Sequence, residues 1–109
     1  MALEILEAHP ARGGTGSAAP FLLVHGAWHG AWCWAEHVLP YLASRGHSAY
    51  AVSLRGHGRS DRPGSPRLAT IGDYVEDVGR AATRVGAPPV VVGHSMGGLV
   101  VQRYLAEGG

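Results

Sequence analysis

Apolar residues come along this chain in short bursts, stopped by glycine, proline and histidine. FLLV at 21–24 and PVVV at 89–92 are the sharpest of these bursts, each ending at a Gly-bearing turn. Runs this short and this uniformly apolar predict strands buried on both faces. Ser48 to Leu54 is a third candidate strand, and residues 2–8 alternate loosely enough for an edge strand. Between the bursts the spacing changes to a helical one. Trp34, Val38, Leu39, Tyr41 and Leu42 predict a helix over 34–45, closed by Arg45-Gly46. Pro40 is awkward in its middle, so the regular part starts or kinks there.

Thr70-Ile71-Gly72-Asp73 is a capping-box type of start. Ile71, Tyr74, Val75, Val78, Ala82 and Val85 then share one helical face, which Gly86 and Pro88 end. After Gly93-His94-Ser95 the pattern is helical again, through Leu99, Val100, Arg103, Tyr104 and Leu105. Strand and helix therefore alternate. The expected fold class is α/β, a mostly parallel sheet with helices on both faces and right-handed crossovers. In such sheets ligands bind beyond the carboxyl ends of the strands. HGAWHGAW (25–32), RGHGRSDRPGSP (55–66) and GHSMGG (93–98) all fall at those ends, whereas ARGGTGSAA (11–19) reads as a loop elsewhere.

Composition narrows the function classes. The 109 residues suit one small domain, and 46% hydrophobic with 16% charged residues is a globular balance. Net charge is +1 and every one of the nine basic residues is Arg, with no basic stripe, which argues against a nucleic-acid partner. Glu4 and Glu7 interrupt the apolar N-terminus, so it is no signal-peptide core. No apolar run approaches the roughly 20 residues of a membrane span. A cytoplasmic protein without membrane contact is expected. The lone Cys33 reads as a small buried hydrophobe, and Trp32 and Trp34 read as core.

Gly93-His94-Ser95-Met96-Gly97 matches G-x-S-x-G, with a strand before it and an amphipathic helix after it. A strand that turns into a helix within a few residues forces the serine into a strained conformation with its side chain outward. Gly93 and Gly97 give it room, and Gly98 keeps the first helical turn slim. Ser95 then lies at a helix N-terminus, where free N–H groups favour developing negative charge. Gly56-His57-Gly58 lacks the third glycine of a dinucleotide loop, and no Gly-Lys-Ser/Thr occurs. His25 and His29 have the i, i+4 spacing of a zinc pair. However, the adjoining Glu of H-E-x-x-H is missing and Gly26 disfavours a helix, so no metal is expected.

FLLVHGAWHGAWCW, SLRGHGRSD and VVVGHSMGG, in this order, resemble the N-terminal half of an α/β-hydrolase over residues 20–107. The first block is similar to the corresponding loop of plant-type methyl esterases and hydroxynitrile lyases, and bacterial hydrolases of unassigned substrate carry it too. The resemblance implies Ser95 as nucleophile, with the backbone N–H groups of Met96 and Ala27 as oxyanion donors. It implies Gly26 as the point of close backbone approach and Trp28 as a wall of the acyl pocket, with ordinary core packing an equal alternative for Trp28. His94 is then an elbow neighbour at the substrate site, its ring turned from the reacting centre. His25 supports its loop and His57 is scaffolding. Family members often carry Asp where this chain has Ser53, which implies a local difference in hydrogen bonding.

In this family the nucleophile is followed by Asp or Glu and then by His. After Ser95 only 14 residues remain, with no His or Asp and with Glu107 as the sole acid. Glu107 is carried away along the helix at about 1.5 Å per residue. A substitute triad of His29 or His57 with Asp61, Asp73 or Asp77 finds no support in the spacing. The chain therefore reads as a partial hydrolase domain over 1–109: an N-terminal strand and loop at 1–19, then core strands and helices through the elbow. Its 89–92 strand would keep an open apolar edge. The expected function is serine-dependent hydrolysis of a carboxylic ester or related acyl bond in the complete form, with a small-molecule substrate and no cofactor. The chain alone is expected to be inert. A hydroxynitrile-lyase-like activity and a non-catalytic ligand-binding module are the alternatives.

Overall fold

The computed structural model describes residues 1–11, 18–64 and 68–109. Most of the loop expected at 11–19, and the end of RGHGRSDRPGSP, lie outside these residues. Four strands form one sheet: β1 (Ile5–Ala8), β2 (Phe21–Val24), β3 (Ala49–Val52) and β4 (Val90–Gly93), in the order β1-β3-β2-β4. β2 pairs parallel with both β3 and β4, and β1 adds antiparallel to β3. The sheet is thus mostly parallel, as the alternation predicted.

Side chains alternate across this sheet, and each face meets different helices. Leu22, Val24, Tyr50 and Val52 point to α3 (Ile71–Val85) and α4 (Met96–Ala106), where Tyr74, Val75, Val78, Ala81 and Val100 bury them. Leu23, Ala49 and Ala51 point the other way, to α1 (Trp32–Ala35) and α2 (Val38–Ser44), against Leu39 and Trp34. Leu22 and Val24 are fully buried and Leu23 nearly so, which explains the uniformly apolar run.

The helix predicted over 34–45 is two helices. The chain breaks at Glu36-His37, and Pro40 is the third residue of α2, where an absent N–H costs nothing. Gly46, at φ 88°, ends α2 with its N–H donating to the Ala43 carbonyl at 3.0 Å. α3 starts on the expected capping box, with Asp73 N–H donating to Thr70 Oγ1 at 3.1 Å and Thr70 N–H to Asp73 Oδ2 at 2.9 Å. It ends at Gly86, at φ 80°.

Three expectations for the core fail. Cys33 is exposed, and so is Trp32 at 57%. The reason is the short α1, which turns only Trp34 toward the core. The 89–92 run is not buried on both faces as expected: among the described residues β4 is an edge strand with no strand beyond it, so Val90 is 44% exposed and Val91 and Val92 are half-buried.

One buried ion pair locks the sheet to α3. Asp77 is fully buried, and Arg55, just past β3, donates to it from Nε, from a guanidinium NH2 at 2.9 Å and from its backbone N–H at 2.9 Å. The guanidinium also donates to the Asp73 carbonyl at 3.1 Å. Hydrogen bonding to Asp77 holds the Arg55 pKa above its usual value. Removing Asp77 would leave the largely buried Arg55 guanidinium with only the looser Asp73 and Glu76 carboxylates, at 3.7 and 3.5 Å. Asp77→Ala is expected to lower the unfolding free energy by about 3 kcal/mol or more, read from urea unfolding. A change below about 0.5 kcal/mol would show that the pair is replaceable.

Candidate active site

The elbow lies between β4 and α4. Ser95 has φ 57° and ψ −119°, a conformation that L residues avoid and that costs about 1–3 kcal/mol. The neighbouring glycines make it feasible. A Cβ on Gly93 would strike the Gly97 carbonyl, and would lie 2.7 Å from Gly98 Cα. A Cβ on Gly97 would strike the Val24 carbonyl at the end of β2. Gly98 differs: its Cβ would sit in ordinary contact, 3.7 Å from the Gly93 carbonyl oxygen, so its own lack of a side chain is less needed than expected. Gly97 N–H donates to the His94 carbonyl and Gly98 N–H to the Ser95 carbonyl, both at 2.9 Å, so the turn closes on itself. Ser95 itself is exposed.

The loop after β2 rests on this elbow. A Cβ on Gly26 would be 3.1 Å from Ser95 Cβ and 3.2 Å from the His94 carbonyl oxygen. Ala27 follows directly. Among the described residues neither the Ala27 nor the Met96 N–H donates to a protein acceptor. Trp28, at φ 66°, is 92% exposed, so the described residues form no closed pocket around its ring. His94 is exposed, its ring 6.3 Å edge-on from that of His29.

His25 is fully buried and cross-links two loops. Its Nδ1 donates to the Gly26 carbonyl at 2.7 Å, and its Nε2 accepts the Leu54 N–H at 3.0 Å. This pairing needs the neutral ring, and burial lowers its pKa to about 4. The His57 ring packs 4.9 Å from it. His25 joins the two loops, whereas His57 donates from Nδ1 to the Arg55 carbonyl within its own loop.

Among the described residues no histidine or carboxylate hydrogen-bonds the Ser95 side chain. His29 and His57 direct Nδ1 to the carbonyls of Ala27 and Arg55, each at 3.0 Å. The acids of a substitute triad are also engaged: Asp61 accepts the Ala2 N–H, Asp73 caps α3 and Asp77 binds Arg55. Glu107 pairs with Arg103, at the far end of α4. Among the described residues no three His, Cys, Asp or Glu side chains converge as metal ligands. A groove of about 560 Å³ lies between α3 and α4, lined by Ala82, Pro88, Val91 and Tyr104 among others, at the opposite end of β4 from Ser95.

The tight strand-to-helix turn at Ser95 faces the Gly26-Ala27 loop, and the family of the chain can be identified. A family model described as "Alpha/beta hydrolase family" matches residues 21–108. The chain belongs to the alpha/beta hydrolase family. Methyl jasmonate esterase 1 of Vitis vinifera is 40% identical over 83 residues, covering 74% of this chain and 31% of that protein. Methylesterase 2 of Arabidopsis thaliana is 40% identical over 81 residues, covering 72% and 30%. The solved epoxide hydrolase from an endophytic Streptomyces superposes with a TM-score of 0.80 at 28% identity, covering 95% of this chain and 29% of that one. This alpha/beta hydrolase chain thus spans about a third of the length of the curated relatives it matches. Among the described residues no helix is long and apolar enough to cross a membrane.

Two contacts at the site escaped the sequence reading. One is Arg55–Asp77, whose only signal was an acid amid the Tyr74, Val75 and Val78 stripe. The other is a set of bonds among Glu4, Ser53 and Ser60, which join segments about 50 residues apart.

The His25 ring predicts a pH dependence. In the unfolded chain it titrates near 6.5, and in the folded chain at about 4. Between these values the unfolded state binds a proton that the folded state refuses. Stability is expected to be unaffected by this group above pH 6.5 and to fall as pH drops below it, by up to about 1.4 kcal/mol per unit. Urea unfolding at pH 7 and pH 5 checks this, with His25→Asn as reference. The variant should be less stable at pH 7 and lose less on acidification. Equal losses would contradict a buried neutral His25.

Proposed function

We propose that this chain carries the nucleophile and oxyanion half of a serine hydrolase acting on carboxylic esters or related acyl bonds. The single observation behind this is the positive-φ Ser95 with the Gly26-Ala27 loop against its Cβ. Ser95 Oγ would attack the carbonyl carbon. The carbonyl oxygen, gaining charge, would accept from the Ala27 and Met96 amides, which have no other acceptor among the described residues. His94, Gly26 and Trp28 would border the substrate. The likeness to methyl jasmonate esterase 1 and Methylesterase 2 supports a small-molecule ester as substrate. We place the protein in the cytoplasm.

Attack needs a base to take the Ser95 proton, and a general base contributes about 10²–10⁴-fold. No histidine of the described residues is so placed, so we assign the base and its orienting acid to segments outside this chain. The chain alone would then hydrolyse esters slowly or not at all.

Hydrolysis of an activated p-nitrophenyl ester, with imidazole as an added base, tests both claims. The chain alone should stay near background. Imidazole should raise its rate above the imidazole control, and Ser95→Ala should abolish that increment. Turnover by the chain alone at the roughly 1 s⁻¹ or more of an ordinary enzyme would contradict the missing base. An increment untouched in Ser95→Ala would contradict the nucleophile.

A further inference from the structure

The Glu4 carboxylate is half-buried at the start of β1, far from Ser95 in sequence, and the proposed reaction gives it no role. Its Oε1 accepts from Ser53 Oγ at 2.7 Å and from the Arg59 N–H at 3.1 Å. Ser53 is fully buried, and its Oγ in turn accepts the Ala31 N–H at 2.9 Å. A second hydroxyl completes the node. Ser60 Oγ accepts the Glu4 N–H at 2.8 Å and donates to the Ser53 carbonyl. The RGHGRS loop closes over the node at Gly58, φ 52°, where a Cβ would lie 2.6 Å from Glu4 Oε1.

The direction of these bonds matters. A serine hydroxyl has one proton and can serve either as donor or as acceptor toward a given neighbour. An ionised carboxylate only accepts, so it claims the Ser53 proton and turns the oxygen lone pairs toward Ala31. The charge also polarises the hydroxyl and strengthens the bond it accepts. Ala31 is the last well-buried residue of the HGAWHGAW loop, whose first residue, His25, is bonded to the next residue, Leu54. The two ends of the loop that carries Ala27 are therefore pinned to Ser53 and Leu54. Only the Ser53 end passes through a rotatable hydroxyl.

We propose that Glu4 is a positioning residue: through Ser53 it orients the Ala31 anchor and so fixes the loop that presents the Ala27 amide to the substrate. This rests on the ester-hydrolase reading for its purpose, but its physical content is a bond relay that needs no substrate to measure.

Amide hydrogen exchange by NMR on the 15N-labelled chain tests it. Glu4 does not touch Ala31, yet Glu4→Ala is expected to speed Ala31 exchange about tenfold or more, while Val78 in α3 and Val100 in α4 keep their protection. Glu4→Gln keeps an oxygen acceptor for Ser53 and should hold Ala31 within about threefold of the parent. Ala31 exchange unchanged in Glu4→Ala, a uniform rise that includes Val78 and Val100, or a Glu4→Gln variant as fast as Glu4→Ala would each overturn the relay. Should Glu4→Ala not fold, Glu4→Val keeps β propensity at this position and is read by the same criteria. Failure of the ester assay would remove the purpose of the relay and leave these rates as they are, so the two failures are distinguishable.

Discussion

The first turn of α4 lies so close to the end of β2 that Gly97 has no room for a single methyl group. A Cβ there would meet the Val24 and His25 carbonyl oxygens, the latter at 2.5 Å. The rest of the site depends on this contact. The chain leaves β4 and enters α4 within two residues, and Ser95 makes the turn at φ 57° and ψ −119°. His94 N–H reaches the Val24 carbonyl at 3.1 Å, extending the β2–β4 pairing to the brink of the turn. With the helix pressed against β2, the residues that follow β2 have nowhere to run except across Ser95. Gly26 packs against Ser95, where a Cβ on it would lie 3.1 Å from Ser95 Cβ, and Ala27 follows directly.

Three consecutive residues past β3 hold the surrounding loops. Ser53 Oγ takes the Ala31 N–H, Leu54 N–H goes to His25, and Arg55 engages Asp77 of α3. One short segment therefore ties the loop after β2 to the helix on the other side of the sheet. Each tie uses a buried polar group with a matched partner, which is the arrangement that gives loops a defined position. The strain at Ser95 is held by backbone packing, and the loop beside it by these side chains. The proposed reaction, which asks two amides to meet one oxygen, would need both.

Much of this could be read from the chain. The uniform run at 21–24 marked the central strand β2 because burial on both faces removes any polar alternation, whereas the equally apolar 89–92 run forms the edge strand β4, so apolarity alone did not separate centre from edge. The capping box at Thr70 and the Gly46 and Gly86 stops are local, so they were legible at their own residues. The break between α1 and α2 was legible only as an awkward Pro40. Trp32 and Cys33 were misread because a four-residue helix has no full apolar face, so hydrophobicity alone did not say which side chains turn inward. The Glu4–Ser53 and Arg55–Asp77 bonds join segments far apart in sequence, and no local pattern encodes them. Ser53 in place of a family Asp was the one visible trace of the first. The structure shows a carboxylate on another strand next to that hydroxyl.

The central claim is that Ser95 is a nucleophile whose oxyanion is received by the amides of Ala27 and Met96. The most direct measurement is a crystal structure of the chain after reaction with a small activated phosphonate, with imidazole added as the base the chain lacks. The account predicts a covalent bond to Ser95 Oγ, with the phosphoryl oxygen about 2.7–3.1 Å from both amide nitrogens. An adduct on another residue, or a phosphoryl oxygen turned to solvent away from Ala27 and Met96, would contradict it.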